Sequence, residues 1–247
     1  PISNSSEQKW RVSGRDPFRG NSAAASPAMF DNRSSELSAY VTGPGTVTFQ
    51  WKVSSEANKD TLSFLFDGVQ TDAISGEVDW TMVTVDVPSG QHELNWIYSK
   101  DSRNSAGDDT GYIDDVRISG YAEFANDSNL RLGDALPGAD PDGDFFANIL
   151  EFVFATEPGD PNDTPVINVR ETPTAIELSF KGSSELGNVI VTLEQSNDLI
   201  SRWIDSGIEP VITPDGRFRN DYKFTIPTTG EGARDATYFR IKATTSG

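Results

Sequence analysis

Apolar and polar residues alternate with a period of two through residues 46–118. Val47, Phe49, Trp51 and Val53 are interleaved with Thr46, Thr48, Gln50 and Lys52, the pattern of a strand with one face turned to a core. Leu62, Phe64 and Phe66 repeat it. So do Val83, Val85 and Val87, then His92, Leu94, Trp96 and Tyr98, then Tyr112, Asp114, Val116 and Ile118. Gly43-Pro44-Gly45, Asp67-Gly68, Ser75-Gly76, Pro88-Ser89-Gly90 and Ala106-Gly107-Asp108 punctuate these runs as turns. Many short strands at this spacing predict an antiparallel sandwich of jelly-roll type.

The period changes after residue 120. Tyr121–Asp127 reads as a short helix, and the run from Asn148 to Phe154 as another that ends before Glu157-Pro158-Gly159. Ile149, Phe152 and Val153 share one face of the second helix, which should pack on a neighbour. Alternation returns at 176–180, 189–194, 222–226 and 238–241, a length and pattern that suit a small sandwich of the immunoglobulin or fibronectin type III kind. The expected architecture is therefore all-β: a jelly-roll β-sandwich over residues 1–120, a short helical junction over 121–165, and a smaller immunoglobulin/fibronectin-like β-sandwich over 166–247. The junction is expected to act as a stapled hinge between the two sandwiches.

The staple is legible in the stretch Asp140-Pro141-Asp142-Gly143-Asp144 and in Glu151. These carboxylates fall at positions 1, 3, 5 and 12 of a twelve-residue window. Phe146 falls at position 7, where such loops offer a backbone carbonyl, and Asn148 at position 9. A hard cation such as Ca2+ takes six to eight oxygens, and this spacing supplies them from one loop that runs into a helix. One departure stands out: position 6, usually Gly for a sharp turn, is Phe145. Asp134, Glu157, Asp160 and Asp163 flank the loop and are candidates to complete the shell. The alternative is an acidic linker without metal.

Composition narrows the partners. Across 247 residues there are 20 Lys and Arg against 38 Asp and Glu, a net charge of −18. That field repels phosphate, so nucleic acid and anionic membrane surfaces are disfavoured. No apolar run approaches a membrane span, so no membrane insertion is expected. Cysteine is absent, which removes disulfides and thiol chemistry without fixing the compartment. The chain begins at Pro1 without a signal peptide and is expected to be a piece of a larger precursor.

Three segments resemble known modules. GPGTVTFQWKVSSEANKDTLSFLFDG, ISGEVDW and YSKDSRNSAGDDTGYIDDV, within residues 8–120, are similar to extracellular jelly-roll modules of the MAM and concanavalin-like kind. ADPDGDFFANILEFVFATEPGDP resembles the calcium loops of thrombospondin type 3 and dockerin modules. TLEQSNDLISRW and the closing TYFRIKA resemble the small β-sandwich that ends many such chains. The resemblance implies the non-catalytic C-terminal part of a secreted or cell-surface bacterial protein, with a catalytic or adhesive domain upstream. It further implies a polysaccharide or cell-surface glycan as partner, and a structural calcium near the last jelly-roll strand.

For that second metal the candidates are Asp114, Asp101 and Asp109, with Asp60 nearby. Asp114 shares the expected inward face with Tyr112, Val116 and Ile118, and a buried carboxylate must be paired or hold a metal. Pairing with Lys100 or Arg117 is the alternative. Trp80, Tyr98, Tyr112 and Arg103 lie near loop ends and are the candidate ligand-binding residues, since sugar sites stack pyranose faces on aromatic rings. The competing reading is that each ring is core, as Trp51, Trp96, Phe49 and Phe64 are expected to be. Arg15, Asp16, Arg19, Asn32, Arg33 and Asn104 are further candidates for a polar surface. No catalytic residue is expected. The single histidine, His92, lies among core positions, and no nucleophile elbow, zinc-protease helix or phosphate loop occurs. Three functions remain open: a calcium-binding accessory region that binds carbohydrate, a calcium-rigidified spacer or adhesin stalk without a glycan ligand, and a hydrolase or lyase fragment.

Overall fold

The computed structural model of the chain describes residues 2–3, 9–200, 202–216, 219–229 and 238–245; Ser201 and Thr237, within the resembling segments of the last sandwich, and Gln8, at the start of the 8–120 resemblance, lie outside the described residues. The fold is all-β, with antiparallel pairing and two short helices among the described residues. It divides into two compact units, Pro1–Ser119 and Gly120–Gly247, and residues 121–165 fall within the second.

The first unit holds β1 (Ile2–Ser3), β2 (Arg11–Ser13), β3 (Ala23–Ala25), β4 (Ser34–Ser54), β5 (Thr61–Phe66), β6 (Val69–Ser75), β7 (Glu77–Ser99) and β8 (Thr110–Ser119). They form one hydrogen-bonded sheet in the order β2-β3-β8-β4-β7-β5-β6, with β1 added to β4. The sheet folds on itself to make the two layers of a sandwich. Leu37 of β4 pairs with Trp96 of β7, and Phe49, twelve residues on, pairs with Val83. Yet the Phe49 ring lies 5.2 Å from Trp96 and 4.9 Å from Phe64. The far half of β4 therefore faces the near half across the core.

Two of the expected turns are in fact bends. Gly43-Pro44-Gly45 and Pro88-Ser89-Gly90 do not end strands but lie inside β4 and β7, where Gly43 pairs with Gly90. A Cβ on Gly43 would sit 1.9 Å from the Pro88 carbonyl oxygen. Glycine lets the backbones approach there while the ladder continues around the corner. Val47, Phe49, Trp51, Val53, Leu62, Phe64, Leu94, Trp96 and Tyr98 fill the space between layers.

Alternation misassigns β8. Asp115 has left-handed backbone, φ 48°, and pairing with β4 slips between Thr48 and Gln50. Before the bulge the alternation holds with the opposite face inward, and the bulge then turns Ile118 to the side of Val47. Ile113, opposite Trp51, is core, whereas Asp114, opposite Gln50, faces outward and Val116 is exposed.

The second unit begins with α1 (Tyr121–Asp127) and α2 (Asn148–Phe154). It continues with β9 (Asn168–Glu171), β10 (Ala175–Ser183), β11 (Val189–Ser196), β12 (Ile204–Asp205), β13 (Val211–Pro214), β14 (Arg219–Pro227) and β15 (Tyr238–Thr245). One sheet runs β13-β14-β10-β9 and the other β12-β11-β15. These two antiparallel sheets are the layers of the second, smaller sandwich. Tyr121, Ala125, Phe152, Val153 and Phe154 of the helices share one core with Phe180, Leu193, Tyr222 and Phe224 of the sheets. The helical stretch expected to be a hinge is thus built into the core of the second unit. α2 lies so close to β10 that a Cβ on Gly182 would meet the Val153 carbonyl oxygen at 2.2 Å. Ala155 ends α2 in left-handed backbone, φ 54°, its N–H donating to the carbonyls of Glu151 and Phe152. Among the described residues, no helix is long and apolar enough to cross a membrane.

Candidate metal centre

The loop before α2 is closed by its own backbone. The N–H of Asn148 donates to Ala139 O at 2.9 Å and that of Ile149 to Pro137 O at 3.0 Å. Inside it, three aspartates are pinned by loop amides. Asp140 accepts from Gly143 N–H (2.9 Å) and Phe145 N–H (3.1 Å), Asp142 from Asp144 N–H (3.2 Å), and Asp144 from Phe146 N–H (2.8 Å). Each offers a carboxylate oxygen to one point in space, all within 4.8 Å of one another.

The fit to a cation rests on oxygens left over. The remaining Oδ2 atoms of Asp142 and Asp144, Oδ1 of Asn148 and both carboxylate oxygens of Glu151 are buried without a hydrogen-bond partner among the described residues. Glu151 is 0 % exposed. Asn148 shows how the orientation is set: its Nδ2 donates to Asp134 O (2.6 Å) and Leu136 O (3.0 Å), leaving its carbonyl oxygen free. Burial, reinforced by the charges of Asp142, Asp144, Asp140 and Glu157, pushes the Glu151 carboxyl up to about 8. Burial, with Asp144 and Asp140 beside it, also raises Asp142 against the stabilising Asp144 N–H. Four carboxylates converge with no Lys or Arg among them, and leaving them so is costly. One divalent cation with oxygen preference satisfies the charge and the orphan acceptors together.

Phe145 explains the missing glycine. It adopts the left-handed backbone that glycine usually provides, φ 77°, as does Gly143 at φ 78°, and its ring points to solvent at 95 % exposure. The tight turn therefore survives the substitution at a conformational cost. Of the flanking acids, Asp163 accepts from Glu157 N–H and Asp160 from Asn162 N–H, and neither belongs to the triad.

The second expected metal set is not brought together. Asp114 accepts from Arg19 N–H (2.9 Å) and Asp115 N–H (2.7 Å) on the outer face. Asp109 and Asp60 meet elsewhere, around an ammonium. Lys100, its side chain 1 % exposed, is bonded to Asp109 Oδ2 and to Ser105 Oγ (2.7 Å), with Asp60 Oδ2 at 3.9 Å and Asp31 Oδ1 at 4.0 Å. Asp101 donates its N–H to Asp60 (2.9 Å) and accepts from Arg103 N–H. The sequence offered Lys100 only as an alternative partner for Asp114. Its burial at the end of β7 was not visible in the pattern.

Two of the expected ligand-binding rings are core. Tyr98 is 0 % exposed and donates its hydroxyl to Asp109 (3.0 Å), and Tyr112 is 5 % exposed. Neither has a face for a sugar. Trp80 is half-buried on the outer face, its indole N–H donating to Asp16 O (3.2 Å) and its ring 6.1 Å from Phe18 and 6.3 Å from Tyr112. The 14–21 loop folds over this face through Asp16 with Lys52 and Arg15 with Asp108. Arg103 is exposed. His92 is half-buried, Nδ1 2.7 Å from Asp67 and its ring stacked on Phe66.

The sequence matches no protein-family profile and no curated protein. Among solved structures, the secreted serine protease VesC from Vibrio cholerae aligns at TM-score 0.38 and 13 % identity, over 45 % of this chain and 24 % of the protease. The CBM22-1 xylan-binding domain from Paenibacillus barcinonensis Xyn10C aligns at TM-score 0.33 and 13 % identity, over 47 % of this chain and 83 % of the domain. A carbohydrate-binding module CBM36 in complex with calcium and xylotriose aligns at TM-score 0.28 and 15 % identity, over 48 % and 99 %. Each likeness spans less than half of this chain, and the chain spans about a quarter of the protease. At these scores they carry no functional assignment.

Proposed function

We propose that the chain is a non-catalytic, calcium-binding accessory region of a secreted or cell-surface protein, with a carbohydrate polymer as the partner of its first unit. One observation carries the calcium part: Asp140, Asp142 and Asp144 bring carboxylate oxygens within 4.8 Å of one another, and five buried oxygens on Asp142, Asp144, Asn148 and Glu151 have no hydrogen-bond partner among the described residues. Asp140, Asp142, Asp144 and Glu151 would hold the ion, with Asn148 Oδ1 and the Phe146 carbonyl completing the shell. Bound there, calcium supplies charge neutralisation and a cross-link between the loop and α2.

The carbohydrate part rests on the sequence resemblance and on the outer face of the first unit. There Phe18 is half-exposed beside Trp80, and Asp79, Lys52 and Arg19 lie around the pair. An aromatic ring edged by hydrogen-bonding groups suits a sugar ring. The burial of Tyr98 and Tyr112 favours the second reading, a calcium-braced spacer without a glycan ligand. Calorimetric titration with calcium, then retention on a panel of plant and marine polysaccharides with calcium and with chelator, tests both parts. No calcium binding above millimolar affinity ends the first. Absence of retention across the panel ends the second and leaves the spacer.

A further inference from the structure

We propose that the second unit carries a separate binding cleft for an organic cation, an alkylammonium or guanidinium group presented by a basic peptide or a free polyamine. The cleft, 650 Å³ in volume, lies between α1, the end of α2 and the β10–β11 turn. Its floor is aromatic: Phe124 and Phe152, with ring centroids 5.5 Å apart. Its walls carry Glu123 and Asp127 from α1, Glu157 and Asp163 after α2, and Glu185 from the turn. Burial, then the charges of Asp127 and Glu185, raise the Glu123 carboxyl above its ordinary range, so acids from both sides of the cleft face one another.

The ion pairs of this unit bypass these acids. Arg170 and Lys223 go to Glu177, Lys181 to Asp215 and Asp221, and Arg240 and Lys242 to Glu194; among the described residues none reaches the cleft carboxylates. The one cation in the lining, Arg219, donates to the Ala155 carbonyl at 3.2 Å. A concave, acid-rimmed surface focuses field on a cation, and the aromatic floor attracts one through its quadrupole. A bare metal ion is the wrong guest. Among the described residues, only the Asp140 loop gathers three acids within 4.8 Å. The cleft acids are spread around a volume that fits a larger cation with an apolar stem.

The proposal stands apart from the calcium and carbohydrate readings. The experiment is calorimetric titration of the full chain in saturating calcium. Spermidine, acetyl-Gly-Arg-Gly-amide and a norleucine control peptide are the probes. Saturable one-site binding that weakens with added salt is expected for the cations and not for norleucine. Glu123→Gln with Glu185→Gln, both exposed positions, should weaken it roughly tenfold, the scale of one lost charge-assisted contact. Glu171→Gln on β9 should leave it unchanged. Tighter spermidine points to free polyamines and tighter arginine peptide to a basic protein segment. Unsaturable binding, or equal affinity in the double variant, would mean that only the bulk charge of −18 is being read, and would overturn the proposal. Loss in Glu171→Gln would also overturn it, by showing that distant surface charge is what the cations read.

Discussion

Stripping calcium should make the second unit fail as pH rises, and the size of the effect follows from Glu151. Its carboxyl moves from an ordinary 4.5 to about 8 in the metal-free fold. The folded state therefore holds a proton that the unfolded chain releases. Stability from this protonation is complete below about pH 4.5 and is lost as pH climbs through about 8. At 1.36 kcal/mol per tenfold in proton affinity, the loss approaches roughly 5 kcal/mol, an upper figure because loop relaxation and water entry screen it. Calcium reverses the loss. At a hundred times its dissociation constant it returns about 2.7 kcal/mol, on the order of 10 °C in melting temperature for a unit of this size. The assay is scanning calorimetry in chelator and in calcium at pH 5, 6.5 and 8. In chelator the second unit should melt progressively lower toward pH 8, and calcium should give its largest gain there. Glu151→Gln should melt above wild type in chelator at pH 8 and lose most of the calcium gain. A chelator melting profile that is flat with pH, together with no response to calcium, would refute the reasoning.

Gly182→Ala should cost about 1–3 kcal/mol by forcing the Val153 carbonyl away from β10, read as a lower midpoint in urea and weaker calcium affinity. Lys100→Met should leave Asp60 and Asp109 without their buried counter-charge, at about 3–5 kcal/mol, lowering melting of the first unit while the calcium response persists. Asp142→Ala with Glu151→Ala should open residues 139–155 to protease and also lower melting of the second unit, because α2 belongs to its core; cleavage resistance equal to wild type would contradict both parts. Trp80→Ala should abolish any polysaccharide retention with less than about 1 kcal/mol lost from the fold, measured by affinity electrophoresis beside a melting curve.

The acidic cluster of the candidate metal loop was legible because a single twelve-residue window holds its carboxylates, and local spacing is what a sequence displays directly. The limits of α1 and the inward face of α2 were legible for the same reason, as was the alternation of β10, β11 and β14. What failed was non-local. Tyr112 and Asp114 do share a face, but it is the outer one, and the left-handed Asp115 hides this by turning Ile118 to the side of buried Val47. Tyr98 and Tyr112 read as loop-end aromatics, but neighbouring strands and the 14–21 loop cover them. Asp60 and Asp109 carry no mark that tells a calcium site from a cage for Lys100. That distinction needs the lysine, 9 to 40 residues away along the chain, to be seen in the same place. The acid-rimmed cleft is assembled from four separated segments and leaves no motif.

The bent ladder of the first unit has a consequence for how it comes apart. Because β4 and β7 run unbroken through both layers, paired from Ser34–Ser99 to Ser54–Glu77, neither layer can peel away as an independent sheet. Opening one means tearing the strands that continue into the other. Amides on either side of the Gly43 corner, Leu37 in one layer and Phe49 in the other, should therefore exchange with solvent deuterium through a single shared event at one free energy.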